Sequence, residues 1–286
     1  MMIFVYPDFY FDFSCTASRC RHSCCRGWEI DIDEDTLALY DALTGDIGDT
    51  VRRSIERTPT PHFALTENED CPFLQPDGLC RLILTLGEES LCDICAEHPR
   101  FYNEYPGRIE AGLGLCCEEA VRLLLERDTP LELIIETDGQ VPEPTVRDEI
   151  FAVLAGQSTP LSERMDRALT LVGAAMPDFT LSQIAELYLG LERLDDEWTK
   201  CLGRLDGSAP LPQPEGIKYE RLAEYFVYRH FNDASAQTLS FAFLSVRLLC
   251  ALEKLCPQEL SELVRLYSSE IEYSDENVEK VQSVLL

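Results

Sequence analysis

The stretch FSCTASRCRHSCCRGWEIDID, residues 13–33, places four cysteines within eleven positions, at Cys15, Cys20, Cys24 and Cys25. Such thiols form disulfides, pack as small hydrophobic side chains or bind a metal. Dense disulfides are typical of secreted domains that are too small to build a core, and a chain of 286 residues buries a full core without them. The sequence therefore favours metal or redox chemistry for this stretch.

Ten of the thirteen cysteines lie between residues 15 and 117. They form four groups: C-x4-C-x3-C-C at 15–25, C-P-F-L-x4-L-C at 71–80, C-x2-C at 92–95 and C-C at 116–117. Thiolates at short spacing select zinc or iron-sulfur clusters over hard cations. A zinc ribbon carries two matched C-x2-C pairs, whereas this chain has one. The irregular spacing therefore favours an iron-sulfur cluster, with zinc as the alternative metal.

Two of these groups allow further interpretations. Cys92 and Cys95 have the spacing of a redox pair, but no βαβ pattern surrounds them, so disulfide chemistry is the lesser alternative. Cys24 and Cys25 point to opposite faces of an extended chain, and they bind one metal only if the chain turns sharply. Gly27 permits such a turn.

Charge and hydropathy narrow the range of partners. The chain carries 52 acidic and 24 basic side chains, a formal net charge of −28. Such a surface repels nucleic acid and anionic membranes, and it attracts partners that present lysines. The first residues, MMIFVYPDFYFDF, lack the basic start of a secretory signal, and no apolar run reaches the roughly 18 residues that cross a bilayer. We therefore expect a cytoplasmic protein, in which thiols stay reduced.

The predicted fold class is mainly α, with an irregular cysteine-rich metal-binding N-terminal region followed by an α-helical bundle. The predicted regions are residues 1–137 and residues 146–286, and the Pro-containing stretch DGQVPEPT, residues 138–145, is the linker. After the linker, apolar residues recur at three- and four-residue steps, as in amphipathic helices. Cys201 and Cys250 fall in these helices, and we expect them in the core because free cysteine packs as a small hydrophobic residue.

Several element boundaries follow from capping residues and prolines. The predicted N-caps of the C-terminal helices are Ser162, Ser182 and Ser274. A helix is predicted to begin at Asp33 or Asp35, and FVYPDFYFDFSC reads as a strand. Pro7 would make this segment an edge strand or an extended arm.

Three segments together resemble the flagellin lysine-N-methylase family: FSC-x4-C-x3-CCRGWEIDID, DCPFLQPDGLCRLILTLGEESLCDICAEHPR and LGLCCEEA. The middle segment is also similar to proteins described as zinc- or iron-chelating domains. The match is strongest over residues 9–125. The resemblance implies a methyltransferase that uses S-adenosylmethionine to methylate lysines of flagellin or another lysine-bearing protein, with help from a [4Fe-4S] cluster.

The resemblance also implies site residues. The expected metal ligands are the cysteines that match the family pattern: Cys15, Cys20, Cys24, Cys25, Cys71, Cys80, Cys95 and Cys117. Trp28, Arg100 and Glu119 are the expected cofactor-binding residues, although the residue type by itself favours a core position for Trp28. Cys92 and Cys116 are additional to the pattern.

Two positions depart from the family pattern, and three others are candidates for accepting a proton. Glu118 stands where the family often has proline, and His98 stands where an aromatic residue is expected. The lysine amine must lose a proton before it attacks, and Glu119, Tyr102 and Tyr105 are candidate acceptors.

The cysteine spacing and the composition by themselves predict metal binding, but they do not predict methyl transfer. The sequence contains no G-x-G-x-x-G or P-loop nucleotide motif, and it lacks the C-x3-C-x2-C run of radical S-adenosylmethionine enzymes. The alternative function is therefore a non-catalytic zinc- or iron-binding module whose helical region binds a partner.

Overall fold

A computed structural model describes residues 2–140, 143–231 and 235–285. About 49% of the protein is helical, and a small sheet accompanies the helices. The predicted mainly α class and the existence of a cysteine-rich region are confirmed.

Helices are spread over the whole described chain. The α-helices are α1 Glu34–Ala42, α2 Gly45–Arg53, α3 Arg81–Leu86, α4 Asp93–Glu97, α5 Glu118–Leu125, α6 Val146–Leu154, α7 Leu161–Leu171, α8 Leu181–Leu189, α9 Asp196–Leu202, α10 Ile217–His230, α11 Ala236–Leu255, α12 Leu260–Tyr267 and α13 Asp275–Ser283. Short 3-10 helices cover Tyr10–Asp12, Ala17–Arg19 and Glu88–Ser90, and a π-helix covers Ser268–Glu272. The strands are β1 Ile3–Pro7, β2 Ile55–Glu56, β3 His62–Phe63, β4 Arg100–Tyr105, β5 Arg108–Leu113 and β6 Leu133–Thr137.

The chain divides into two compact units. The cysteine unit contains Ser14–Phe101, and the helical unit contains Met1–Phe13 together with Tyr102–Leu286. The cysteine unit is therefore inserted into the sequence of the helical unit.

The regions predicted from the sequence, 1–137 and 146–286, differ from these units and stay a prediction. The helical unit takes residues from both regions. Within the predicted linker, residues 138–145, positions 141–142 lie outside the described residues.

β1 is an interior strand of a four-stranded sheet with the order β4-β5-β1-β6. It pairs in parallel with β5, with Ile3 opposite Arg108, and antiparallel with β6, with Pro7 opposite Leu133. The prediction of an edge strand is therefore wrong. Pro7 is the last residue of β1, and a proline at that end leaves the earlier ladder hydrogen bonds intact.

Helix α11 lies at the centre of the helical unit. It is buried from Thr238 to Leu252 and packs against α10, α12 and α13. Cys201 and Cys250 are both buried, which confirms the core positions predicted for them. Within the described ranges, no helix combines the length and the apolarity needed to cross a bilayer.

One of the three predicted serine caps is confirmed. Ser274 caps α13, and its hydroxyl accepts a hydrogen bond from the Asn277 N–H at 3.3 Å. Ser162 and Ser182 instead lie inside α7 and α8. Thr180 caps α8, because it forms a reciprocal capping box with the residue three positions on, Gln183.

A buried ion pair joins the sheet to α6. Arg147 donates two hydrogen bonds to the carboxylate of Glu110, at 2.8 and 2.5 Å, and Arg108 contacts the same carboxylate. Glu110 is 1% exposed, so water screens these charges little. The stability of this part of the fold therefore depends on keeping all the charges paired.

A second buried carboxylate, Glu224 of α10, makes stability depend on pH. It accepts hydrogen bonds from the Leu131 N–H at 2.8 Å and from Arg221 at 2.9 Å, yet burial raises its pKa from 4.5 to about 7. The folded protein therefore holds a proton between pH 4.5 and 7 that the unfolded chain releases, and stability falls as the pH rises through that window. The loss amounts to at most about 3 kcal/mol.

We expect the Glu224→Gln variant to lack this part of the pH dependence, because its side chain does not titrate. Thermal unfolding of both proteins from pH 4 to 8 measures the effect as a difference in Tm. The wild type should lose several degrees relative to the variant as the pH rises from 4.5 to 7. Parallel pH profiles would contradict the assignment.

Candidate metal centre

The cysteine unit is built around one apolar core, and five cysteines either belong to this core or pack against it. The buried residues of the core are Ile30, Ile32, Tyr40, Val51, Ile55, Phe63, Cys71, Phe73, Leu82 and Cys92. Three further cysteines, Cys25, Cys80 and Cys95, pack against this core. We call Cys25, Cys71, Cys80, Cys92 and Cys95 the thiol group.

Backbone pairing brings the first two members of the thiol group together. The N–H of Cys71 donates to the carbonyl of Cys25 at 2.8 Å, and the N–H of Gly27 donates to the carbonyl of Glu69 at 2.9 Å. Gly27 has a φ of +80°, a left-handed conformation that favours glycine. This glycine therefore allows the backbone to turn just after the Cys24-Cys25 pair.

The other three members stand at the ends or within the turns of short helices. Cys80 precedes α3, Cys92 precedes α4, and Cys95 lies within α4. Because Cys92 and Cys95 are three residues apart across a helical turn, their side chains lie on the same side. Asp33 caps α1, as predicted, and its second carboxylate oxygen accepts a hydrogen bond from the Asp93 N–H at 3.0 Å. This contact ties α1 to the start of α4.

Burial and the neighbouring thiols both disfavour the ionisation of Cys71 and Cys80. Burial raises the pKa of Cys71 to about 12, and the nearby Cys25 and Cys80 thiols add to that rise. Burial likewise raises the pKa of Cys80, with Cys25 and Cys92 adding to it. These mutual effects reflect sulfur atoms that approach one another in a poorly solvated region.

Hydrogen bonds between thiols join two pairs of cysteines, Cys24 with Cys25 and Cys92 with Cys95. A hydrogen bond with Cys24 lowers the pKa of Cys25 to about 6, against the opposing effect of burial. A hydrogen bond with Cys95 lowers the pKa of Cys92, and the same bond raises the pKa of Cys95. In each pair the shared hydrogen bond therefore favours the ionisation of one sulfur, Cys25 or Cys92.

A bound cation would reverse the mutual repulsion of these thiols, because it favours the deprotonated form of each ligand. The donor chemistry of the thiol group therefore suits a soft metal. Throughout the described ranges, however, no three His, Cys, Asp or Glu side chains are grouped closely enough to hold one metal ion. A closed ligand set would require the sulfur atoms to move closer together.

The structure brings together about half of the predicted metal ligands. Four of them, Cys25, Cys71, Cys80 and Cys95, belong to the thiol group, and Cys24 is hydrogen-bonded to Cys25.

The remaining predicted ligands lie outside the thiol group. Cys15 is exposed, and its sulfur accepts a hydrogen bond from the Ala17 N–H at 3.4 Å. Cys20 is partly buried. Cys117 belongs to the helical unit, where it precedes α5.

Cys92 is the member of the thiol group that the sequence did not predict. It is completely buried, although it is additional to the family pattern. Its spacing from Cys95 was the available signal, since two cysteines three positions apart on a helix present both thiols to one side.

The expected cofactor-binding residues have different environments. Trp28 is 38% exposed and donates from Nε1 to the Cys24 carbonyl at 2.8 Å, so the alternative core position is wrong. Arg100 is partly buried in the cysteine unit. Glu119, in the helical unit, accepts hydrogen bonds from Arg122 at 2.6 and 2.8 Å.

Similarity to known proteins is found among curated bacterial sequences. A Lysine-N-methylase of Salmonella typhimurium (strain LT2) is 31% identical over 145 residues, which cover 46% of this chain and 34% of that protein. A Lysine-N-methylase of Salmonella choleraesuis matches to the same extent. The flagellar biosynthetic protein FliU of Salmonella muenchen is 30% identical over 126 residues, which cover 42% of this chain and 75% of FliU. The match thus spans about a third of the length of the two lysine-N-methylases. No family model and no solved structure matches the chain.

Proposed function

The chain belongs to the flagellin lysine-N-methylase family, and from this membership we propose that it transfers methyl groups from S-adenosylmethionine to lysine side chains of flagellin. The observation that carries the proposal is the similarity to proteins named Lysine-N-methylase, together with the coverage of most of FliU. We propose a cytoplasmic reaction, since the cysteines of the chain are free thiols and the cytoplasm keeps thiols reduced.

For the cofactor we propose a [4Fe-4S] cluster held by cysteine thiolates, with zinc as the alternative metal. The thiol group supports this proposal, because it gathers five soft donors around one core. Four of the five are also ligands that the family resemblance implies, and Cys92 is the fifth. When bound, such a cluster would supply an iron that anchors the amino and carboxylate groups of the methyl donor.

The chain itself must present a neutral lysine amine to the methyl donor. The lysine ammonium first gives one proton to an acceptor, and the neutral nitrogen then forms a bond to the methyl carbon as the carbon–sulfur bond of the donor breaks. Among the candidate acceptors, Glu119 already accepts two hydrogen bonds from Arg122. Tyr102 is 44% exposed, and its hydroxyl lies 3.1 Å from that of Tyr10. Tyr102 is therefore a candidate acceptor that a lysine from another protein can reach.

The proposal is tested with the full chain, purified without oxygen and mixed with flagellin and isotope-labelled S-adenosylmethionine. We expect labelled methyl groups on flagellin lysines, detected by mass spectrometry of peptides, and no label when the donor is omitted. Iron-loaded protein that binds the donor yet leaves flagellin unmodified would overturn the methyltransferase proposal. Colourless protein with one tightly held zinc would overturn only the iron-sulfur part.

The burial of two cysteines favours one alternative function, in which the bound metal only stabilises the cysteine unit and takes no part in catalysis. Cys71 and Cys92 lie inside the apolar core, where a bound metal would contribute directly to folding. In that case chelation unfolds the cysteine unit, and the protein does not bind S-adenosylmethionine. Isothermal titration of the purified chain with S-adenosylmethionine distinguishes the two functions.

A further inference from the structure

One face of the four-stranded sheet in the helical unit carries aromatic side chains. Phe4 and Tyr6 are two residues apart on β1 and therefore share a face, and their ring centroids lie 5.4 Å apart. Tyr6 also meets Phe11 edge-on at 5.0 Å. Phe11 is 68% exposed, so these contacts leave much of its ring accessible.

The opposite face of β1 is covered. Val5, between the two aromatic residues, is buried and lies opposite Glu110 of β5, which binds Arg147 of α6. β1 therefore turns Val5 to one face and Phe4 and Tyr6 to the other, where Phe4 is partly exposed and Tyr6 is buried.

Two more tyrosines extend this aromatic cluster: Tyr10, which is buried, and Tyr102, which is exposed. Tyr10 packs edge-on against Phe11 with a centroid distance of 5.0 Å. The hydroxyls of Tyr10 and Tyr102 are 3.1 Å apart, and Tyr102, on β4, is 44% exposed. The resulting aromatic face consists of Phe4, Tyr6, Tyr10, Phe11 and Tyr102. Its exposed rings are Phe11 and Tyr102, whereas Tyr6 and Tyr10 are buried.

Carboxylates border the aromatic face. Glu136 of β6 is exposed, lies opposite Phe4 and accepts a hydrogen bond from the Tyr6 hydroxyl at 2.5 Å. Glu104 is exposed two positions after Tyr102, on the same side of β4. The exposed rings of Phe11 and Tyr102, together with these exposed carboxylates, form an environment that suits an alkylammonium group.

We propose that the aromatic face binds the side-chain ammonium of a lysine in a basic polypeptide. The flat faces of aromatic rings attract a cation, and the bordering carboxylates add charge complementarity. The formal net charge of −28 also attracts a basic polypeptide at distances beyond direct contact. This inference rests on the proposed function and specifies how the lysine of the substrate is recognised.

The test measures binding of a short peptide with one lysine to the full chain, without any methyl donor. A peptide with norleucine in place of lysine has the same apolar length and no charge. For the Phe11→Leu variant, which keeps an apolar side chain but removes the ring, we expect about two- to five-fold weaker binding of the lysine peptide. The Phe11→Trp variant should bind the lysine peptide at least as tightly as the wild type.

The matched control is Leu194→Ala, because Leu194 is an 81% exposed apolar side chain of the same unit and is not part of the aromatic face. It should bind the lysine peptide like the wild type. The norleucine peptide should bind more weakly than the lysine peptide and should not respond to Phe11→Leu. Circular dichroism establishes that each variant is folded.

Equal binding of the two peptides, or of the lysine peptide to the wild type and to Phe11→Leu, would overturn the inference. If flagellin is nevertheless methylated, the proposed function survives and only the surface is wrongly assigned. If the peptide results are as expected but flagellin stays unmodified, the surface stands and the proposed function fails.

Discussion

Replacing Cys71 with serine is expected to remove the bound iron and to reduce methylation of flagellin by about 100-fold. Cys71 lies in the core of the cysteine unit, beside the thiols of Cys25 and Cys80, and it is also a ligand that the family resemblance implies. Serine is a poor ligand for a soft metal, because its hydroxyl is harder and far less acidic than a thiol. Iron analysis and the labelled-methyl assay measure the two effects.

Cys250→Ser is the matched control. Cys250 is also buried, but it lies in α11 of the helical unit, with its thiol 3.6 Å from the Gln213 carbonyl. Both substitutions place a hydroxyl where a buried thiol was, so a general loss of stability affects both variants. Iron retained by Cys71→Ser, or lost equally from Cys250→Ser, would contradict the assignment of the thiol group as the cofactor site.

The Glu110→Ala variant is expected to lose about 3–5 kcal/mol of unfolding free energy. The substitution leaves the guanidinium groups of Arg147 and Arg108 beside the sheet without their shared carboxylate. An uncompensated buried charge is costly because water cannot solvate it. Urea unfolding measures the change as a lower midpoint with an unchanged slope.

Glu126→Ala provides the comparison for this second prediction. Glu126 also accepts a hydrogen bond from an arginine, Arg122, at 2.5 Å, but its side chain is 65% exposed. Exposed pairs of this kind contribute about 0.5 kcal/mol or less. Similar losses in the two variants would mean that burial does not govern the strength of the Glu110 pair.

Local patterns in the sequence predicted the local parts of the structure. The helical character of the C-terminal half followed from apolar periodicity, and the start of α1 followed from Asp33 ahead of an apolar run. Cap positions were less certain, because Thr180 and Ser182 are both good capping residues. The capping box with Gln183 decides between them, and it was visible as a threonine three positions before a glutamine.

The non-local parts were not predictable from those patterns. β1 became an interior strand because β5 and β6, distant in sequence, pair with both of its sides, and Pro7 alone pointed to an edge. Nothing local to Glu110 indicates that Arg147 will meet it. In the candidate site, the family pattern indicated four of the five grouped thiols, whereas the burial of Cys92 emerged only from the folded core.

The insertion of the cysteine unit has a consequence for biosynthesis. β1 leaves the ribosome before the cysteine unit, whereas its partners β5 and β6 follow that unit and begin at Arg108 and Leu133. The nascent chain must therefore carry an unpaired, aromatic-rich strand while the whole inserted unit is translated. Such a strand is prone to pair with other chains, so chaperones that shield exposed strands should improve the yield of folded protein.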